Sequence, residues 1–305
     1  MPLPAVDFAA VIIKFRDSFM NKFILIGVTT VLLAGCESRA VTDTTGGGTP
    51  TTGTPASGTI TVGDLQSAAL DSTTNELTVQ ITLDADDLQQ SYGTGDPDGD
   101  YRVYTLQNTP SDRAFTAFSG VSTDESVQAV VVMDGRQFNR FFGGATATQV
   151  NYVAPTGGIV NYAGDYVGLL NIGPATGPGL PGSVSATPYE ASTVTGEVYL
   201  KADFTDAAVN GAIYNRSVDV GDGAEDMPEL VLVVGDIGAD GSFSGGIELI
   251  DQEGVGNYSG VFGGTDATAV AGVVELTEGF LPGAIPADGN EREFGIFVLD
   301  QQVAP

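Results

Sequence analysis

The chain has 305 residues, with 39 Asp and Glu against 11 Lys and Arg, a formal charge of −28, one Cys, no His and no Trp. A hydrophobic share of 42% excludes a globally disordered chain, and strong acidity without a basic run excludes nucleic acid as a partner and disfavours anionic lipid heads. Without His the commonest general base and transition-metal ligand is missing, and a lone Cys cannot form an internal disulfide, so most Ser-His, Cys-His and zinc chemistries are excluded by inventory.

The N-terminus reads as an export signal. Met20-Asn21-Lys22 is followed by an apolar run over 23–33 and then Ala34-Gly35-Cys36. The tetrapeptide Leu33-Ala34-Gly35-Cys36 matches the bacterial lipobox, in which the cysteine thiol takes the lipid. A transmembrane helix needs roughly 20 apolar residues, more than this run supplies. Residues 1–35 are therefore expected to be removed, with Met20 the true start, and Cys36 to be the lipidation site that anchors the chain to a membrane. Loss of Lys14, Arg16 and Lys22 with Asp7 and Asp17 leaves 8 cations and 37 acids, a charge of −29. Glu37, rather than Asp, follows the cysteine and points to the outer membrane.

Residues 36–58 are the lipidated Cys and a tether of Gly, Thr, Pro and Ser, too poor in apolar groups to offset the entropy of ordering. Beyond it the pattern becomes short alternating segments broken by Gly, Asp and Asn, as strands and turns require. Over 59–150, a small β-rich domain, strands are expected near 59–62, 76–83, 101–107, 114–119 and 127–133. Over 151–305 eight more are expected, near 162–171, 194–204, 209–215, 229–235, 242–250, 257–263, 269–276 and 293–299. Their even spacing suggests an all-β fold whose C-terminal part is an eight-stranded antiparallel up-and-down barrel, with a sandwich as the competing architecture. Asn210-Gly211 and Asp240-Gly241 supply the residues that hairpin turns need at positive φ.

Three runs carry a family resemblance. The segment from Lys201-Ala202-Asp203-Phe204 to Val209-Asn210-Gly211 resembles a strand, turn and strand of the barrel lobes of transferrin-binding protein B and related surface lipoproteins. Gly241-Ser242-Phe243-Ser244-Gly245 is similar to the next strand of that family, and Gly260-Val261-Phe262-Gly263-Gly264 through Ala267 to Gly272 resembles its closing signature, although Gly263 and Thr265 replace an aromatic and a proline. The resemblance spans about 160–300. It implies a non-enzymatic outer-membrane lipoprotein that binds a protein or metal-carrying ligand through loops and barrel rim, with Phe204, Gly211, Phe243, Phe262, Gly263 and Ala267 as scaffold. The other reading is a structural or adhesive envelope lipoprotein stiffened by calcium.

Asp96, Asp98 and Asp100 alternate through a turn-rich loop, a pattern compatible with calcium or with a solvated turn. The acidic loop at 219–226 admits the same two readings, or a face toward a basic partner. Tyr152, Tyr162 and Tyr166 are the residues that would ligate a haem iron, or else core packing. Paired carboxylates could hydrolyse a glycoside, but nothing in the sequence singles out a pair.

Overall fold

The computed structural model describes residues 56–84, 86–172, 188–220, 223–277, 279–283, 285, 287 and 289–302; Cys36 and the signal segment lie outside them. Every regular element among the described residues is a strand. Apolar side chains recur at every second position, and only a pleated chain puts such a set on one face.

The chain begins its first sheet with β1 (Ala56–Gly63), so strand pairing starts within the segment read as tether. It then leaves for β2 (Leu65–Asp71), β3 (Glu76–Leu83) and β4 (Asp86–Thr94), an antiparallel three-stranded sheet. β5 (Asp96–Asp98), β6 (Tyr101–Leu106), β7 (Phe115–Val121), β8 (Val127–Asp134) and β9 (Gly143–Tyr152) return to β1 and complete a six-stranded sheet of order β1-β9-β8-β7-β6-β5.

The rest closes on itself. It comprises β10 (Ile159–Leu170), β11 (Ser192–Asp203), β12 (Ala208–Asp219), β13 (Ala224–Asp226), β14 (Leu230–Ile237), β15 (Ser242–Glu248), β16 (Gly254–Gly263), β17 (Ala269–Leu276) and β18 (Glu293–Asp300). β13 is a short edge on β12. The other eight each pair antiparallel with the next, and β18 returns to β10 with Phe297 opposite Tyr166. This is the closed up-and-down barrel, not a sandwich, and closure leaves it no unpaired edge.

Side chains fill the barrel. Phe262 is wholly buried, with ring centroids of Phe243, Phe204 and Tyr162 at 4.9, 5.1 and 5.6 Å. Small residues make room for these rings: a Cβ on Gly272 would collide with the ring of Phe297. Such small-against-large pairing lets an eight-stranded barrel reach core density with no channel.

β17 and β18 are apolar on both faces, and the reason lies outside the barrel. Val167, Leu169, Val261, Ala271, Val273 and Ile296 point outward and pack on Phe118, Val127, Ala129, Val131 and Met133 of the six-stranded sheet. That sheet is covered on its other face as well, where Tyr104, Phe115, Val130 and Val132 meet Leu77, Val79, Ile81 and Tyr92 of the three-stranded sheet. β8 is thus buried between two layers, which explains its unbroken apolar run.

Two turns test the hairpin expectations. Asp240-Gly241 stands in the β14–β15 turn as expected, with Gly241 at φ 82° and Asp240 Oδ1 accepting from the Ser242 amide and hydroxyl at 3.0 and 2.6 Å. Asn210-Gly211 does not form a turn. The reversal comes earlier, where Asp203 Oδ1 accepts from the amides of Thr205 and Asp206 at 3.0 and 3.3 Å and Ala207 takes φ 51°. Asp203 thus does locally what an Asn-Gly pair would otherwise do. Gly211 lies within β12 opposite Leu200, where a Cβ would collide with the Tyr199 carbonyl.

Candidate binding surface

The sheet is docked on the barrel by the turn between β7 and β8. Thr268, in the β16–β17 turn, donates its hydroxyl to Asp124 Oδ2 at 2.5 Å, and Asp124 Oδ1 accepts from the Ser126 amide at 3.0 Å and the Ser122 hydroxyl at 2.8 Å. Burial opposes ionisation of Asp124, yet the hydrogen bonds from Ser126, Thr268 and Ser122 outweigh it and hold the carboxyl down at about 2. Beside this cluster, a Cβ on Gly263 would sit 2.5 Å from Val127 Cγ1 and 2.6 Å from the Ser126 carbonyl. At Gly263 barrel and sheet are therefore in close contact, and Ala267 is held nearby by the Tyr162 hydroxyl donating to its carbonyl at 2.6 Å.

Further along the seam the β5–β6 hairpin, turning through Gly99 at φ 57°, leans over the outer wall of the barrel. A cleft of about 330 Å³ opens there, lined by Asp98 and Tyr101 of the hairpin and by Asp165, Val167, Glu197 and Asn215 of the barrel. Asp165 is raised by partial burial first, then by the nearby charges of Asp100 and Glu197. The Tyr101 hydroxyl donates to the Asp165 carbonyl at 2.6 Å, and Asn215 Nδ2 donates to Glu197 Oε1 at 3.1 Å, fixing the floor. A second cleft of about 370 Å³ lies across the same hairpin tip, with Asp100, Arg102, Thr123 and Glu125 among its lining.

Of the three aspartates singled out in the sequence, Asp96 and Asp98 share one face of β5 and Asp100 sits in the turn, all exposed. Asp98 meets Asp165 and Glu197 in the first cleft and Asp100 faces the second. Among the described residues no group of three or more His, Cys, Asp or Glu is arranged to hold a metal ion. The acidic loop at 219–226 is a β12–β13 hairpin, with Asp219 opposite Ala224. Asp165 and Glu197 carried no signal in the sequence: each is a polar outward position of an alternating strand.

Tyr152, Tyr162 and Tyr166 are buried core residues. Tyr166 donates to Glu293 Oε1 at 2.6 Å, and burial together with the Glu293 charge pushes its hydroxyl well above the ordinary range, away from the tyrosinate a haem iron would need. Arg216 completes this interior cluster, with Nη2 at 2.6 and 2.8 Å from the Glu293 oxygens and Nη1 donating to the Pro228 carbonyl at 2.8 Å. Sequence reasoning missed the pair. The available signal was a charged residue at an inward position, Arg216 between Ile213 and Val218 and Glu293 at the start of β18.

No protein-family model and no curated protein matches the chain. Solved structures with a related outline include transferrin binding protein B from Haemophilus parasuis Hp5, at 11% identity and a TM-score of 0.44, aligned over 82% of this chain and 46% of that one. Intact Ap-TbpB, with N and C lobes, aligns at 12% identity and TM-score 0.42 over 81% and 46% of the respective chains. The isotype 1 protein from serogroup B Neisseria meningitidis aligns at 12% and 0.34 over 74% and 50%. The chain spans about half the length of these structures.

Proposed function

We propose that this chain is a lipid-anchored outer-membrane binding module that holds a protein or metal-carrying ligand on its outer surface and performs no chemistry of its own. In this reading residues 1–35 are a signal peptide, Cys36 carries the lipid, 36–58 tether the body, 59–150 form a companion β domain and 151–305 the barrel. The observation that carries the proposal is the filled barrel: with Tyr162, Tyr166, Phe243, Phe262 and the Arg216–Glu293 pair inside it, a ligand has to be met from outside. On that outside, Asp98, Asp165 and Glu197 line a cleft suited to a Lys or Arg side chain, since complementary charge chiefly selects partners and speeds encounter.

Two measurements test this. Intact cells are labelled with a membrane-impermeant reagent, comparing wild type with Cys36→Ala; labelling lost in the variant supports anchoring and display, and equal soluble periplasmic protein in both refutes them. Residues 51–305 are then used as bait, beside the Asp165→Asn/Glu197→Gln variant. The reading expects one partner retained by the wild-type body and weakened in the variant, whereas turnover of a substrate by the bait would overturn it.

A further inference from the structure

The β8–β9 connection carries a feature that fold stability does not account for. Gln137 and Arg140 exchange backbone hydrogen bonds at 2.9 and 3.1 Å, which leaves Phe138 and Asn139 as a two-residue turn, both at positive φ, 54° and 58°. Such a turn favours Asn, Asp or Gly at both places, and a bulky residue at the first is strained. Phe138 recovers little by packing: it is 61% exposed. Strain maintained by its surroundings is a pointer to function.

The surroundings do maintain it. Arg136, buried, donates to Asn139 Oδ1 at 3.2 Å; Gln137 Nε2 donates to the Ser111 carbonyl at 3.3 Å; Arg113 Nη1 donates to the Arg140 carbonyl at 3.2 Å. Below the turn, the guanidinium groups of Arg113 and Arg140 lie 4.6 and 5.7 Å from the ring centroid of Phe142. Arg113 pairs with buried Asp134 and Arg140 with Asp84.

Position and charge narrow the partner. β9 runs from Gly143 beside this turn to Tyr152, which pairs with Ala56, so the turn stands at the opposite end of the sheet from the strand through which the chain continues toward Cys36. Of the cations gathered at this tip Arg136 is buried and Arg113 pairs with buried Asp134, so Arg140, its side chain 59% exposed beside Asp84, is the one that faces solvent on a protein with 39 acids and 11 cations. A carboxylate on a partner is met here by a guanidinium, where an acidic surface would otherwise repel it.

We infer that the Gln137–Arg140 turn is a contact finger: Phe138 enters an apolar pocket of a partner protein, and Arg140 meets carboxylates on that pocket's rim. The inference rests on the chain being a binding module. Aromatic side chains buried in a partner's pocket and flanked by Arg are the usual centres of binding energy.

The experiment places the photo-crosslinking residue p-benzoylphenylalanine at position 138 of the full chain in intact cells, and at Thr195 beside the acidic cleft and Ile250, 71% exposed, as references. The expected result is one protein adduct from position 138, whose crosslinked peptide lies in an apolar pocket edged by Asp or Glu, and whose yield falls about tenfold or more with Arg140→Glu. Adducts from position 195 or 250 with none from 138 overturn the finger and leave the binding module standing; adducts from none of the three remove both. A second readout needs no partner: Phe138→Asn should raise the Tm by about 2–4 °C by relieving the turn. A lower Tm would mean Phe138 is there for stability, and the inference fails.

Discussion

Arg216 and Glu293 face each other inside the barrel, Nη2 to Oε2 at 2.6 Å, both side chains fully shielded from water. Removing one member of such a pair leaves a bare charge in the core. Arg216→Met and Glu293→Gln should each lower stability by about 3–5 kcal/mol. The double replacement Arg216→Met/Glu293→Gln should lose less than the sum of the two, because no charge remains uncompensated. Urea unfolding of the four proteins checks this; additive losses would mean that the pair is not coupled.

The aromatic cluster is a separate source of stability. Phe262 is surrounded by three rings, and its removal would leave a cavity among them. Phe262→Ala should lower the unfolding free energy by about 3–5 kcal/mol, with the m-value unchanged if the barrel still unfolds as one unit.

Gly263→Val should act on the seam rather than on either part. The added Cβ meets the Ser126 backbone carbonyl, which cannot step aside as a side-chain end could. Hydrogen exchange should therefore speed up in β7 and β8 while barrel strands away from the sheet, such as β12 and β14, keep their protection. Uniform loss of protection would instead mean that barrel and sheet unfold together.

All eight barrel strands were legible from the chain, because every pairing but the closing one of β10 with β18 joins successive barrel strands, and alternation with regular turns encodes that much. β2 and β4 were not. β4 presents Asp86, Asp87, Gln89 and Ser91 to solvent and buries little beyond Gln90 and Tyr92, so no apolar period marks it. β9 hides for a different reason: its Gly, Ala and Thr are small because two layers close on it. The acidic cleft was half legible. Asp98 stood out as part of an acidic run, but Asp165 and Glu197 become neighbours only when the sheet docks on the barrel, a relation that lies in tertiary packing and leaves no local pattern.

Two aspartates should give stability a pH dependence of opposite sign. Asp124 is held at about 2, below its ordinary 3.8, so its hydrogen bonds contribute fully above about pH 4 and are lost as pH falls through 2. Asp134 is the reverse case. Burial raises it to about 7, against the pull of Arg113 and the Phe142 amide, so the folded form holds a proton more tightly than the unfolded one and stability falls as pH rises from about 4 through 7. The geometry is compatible with both forms, since the Phe142 amide donates to Oδ1 at 2.6 Å and Arg113 contacts the other oxygen. Tm measured from pH 2 to 8 for wild type, Asp124→Asn and Asp134→Asn separates the contributions. Asp124→Asn should flatten the acid limb alone, and Asp134→Asn the limb between pH 4 and 7. An Asp134→Asn curve parallel to wild type over that window would mean that Arg113 keeps the carboxylate ionised throughout, placing the ion pair above burial in the balance at this site.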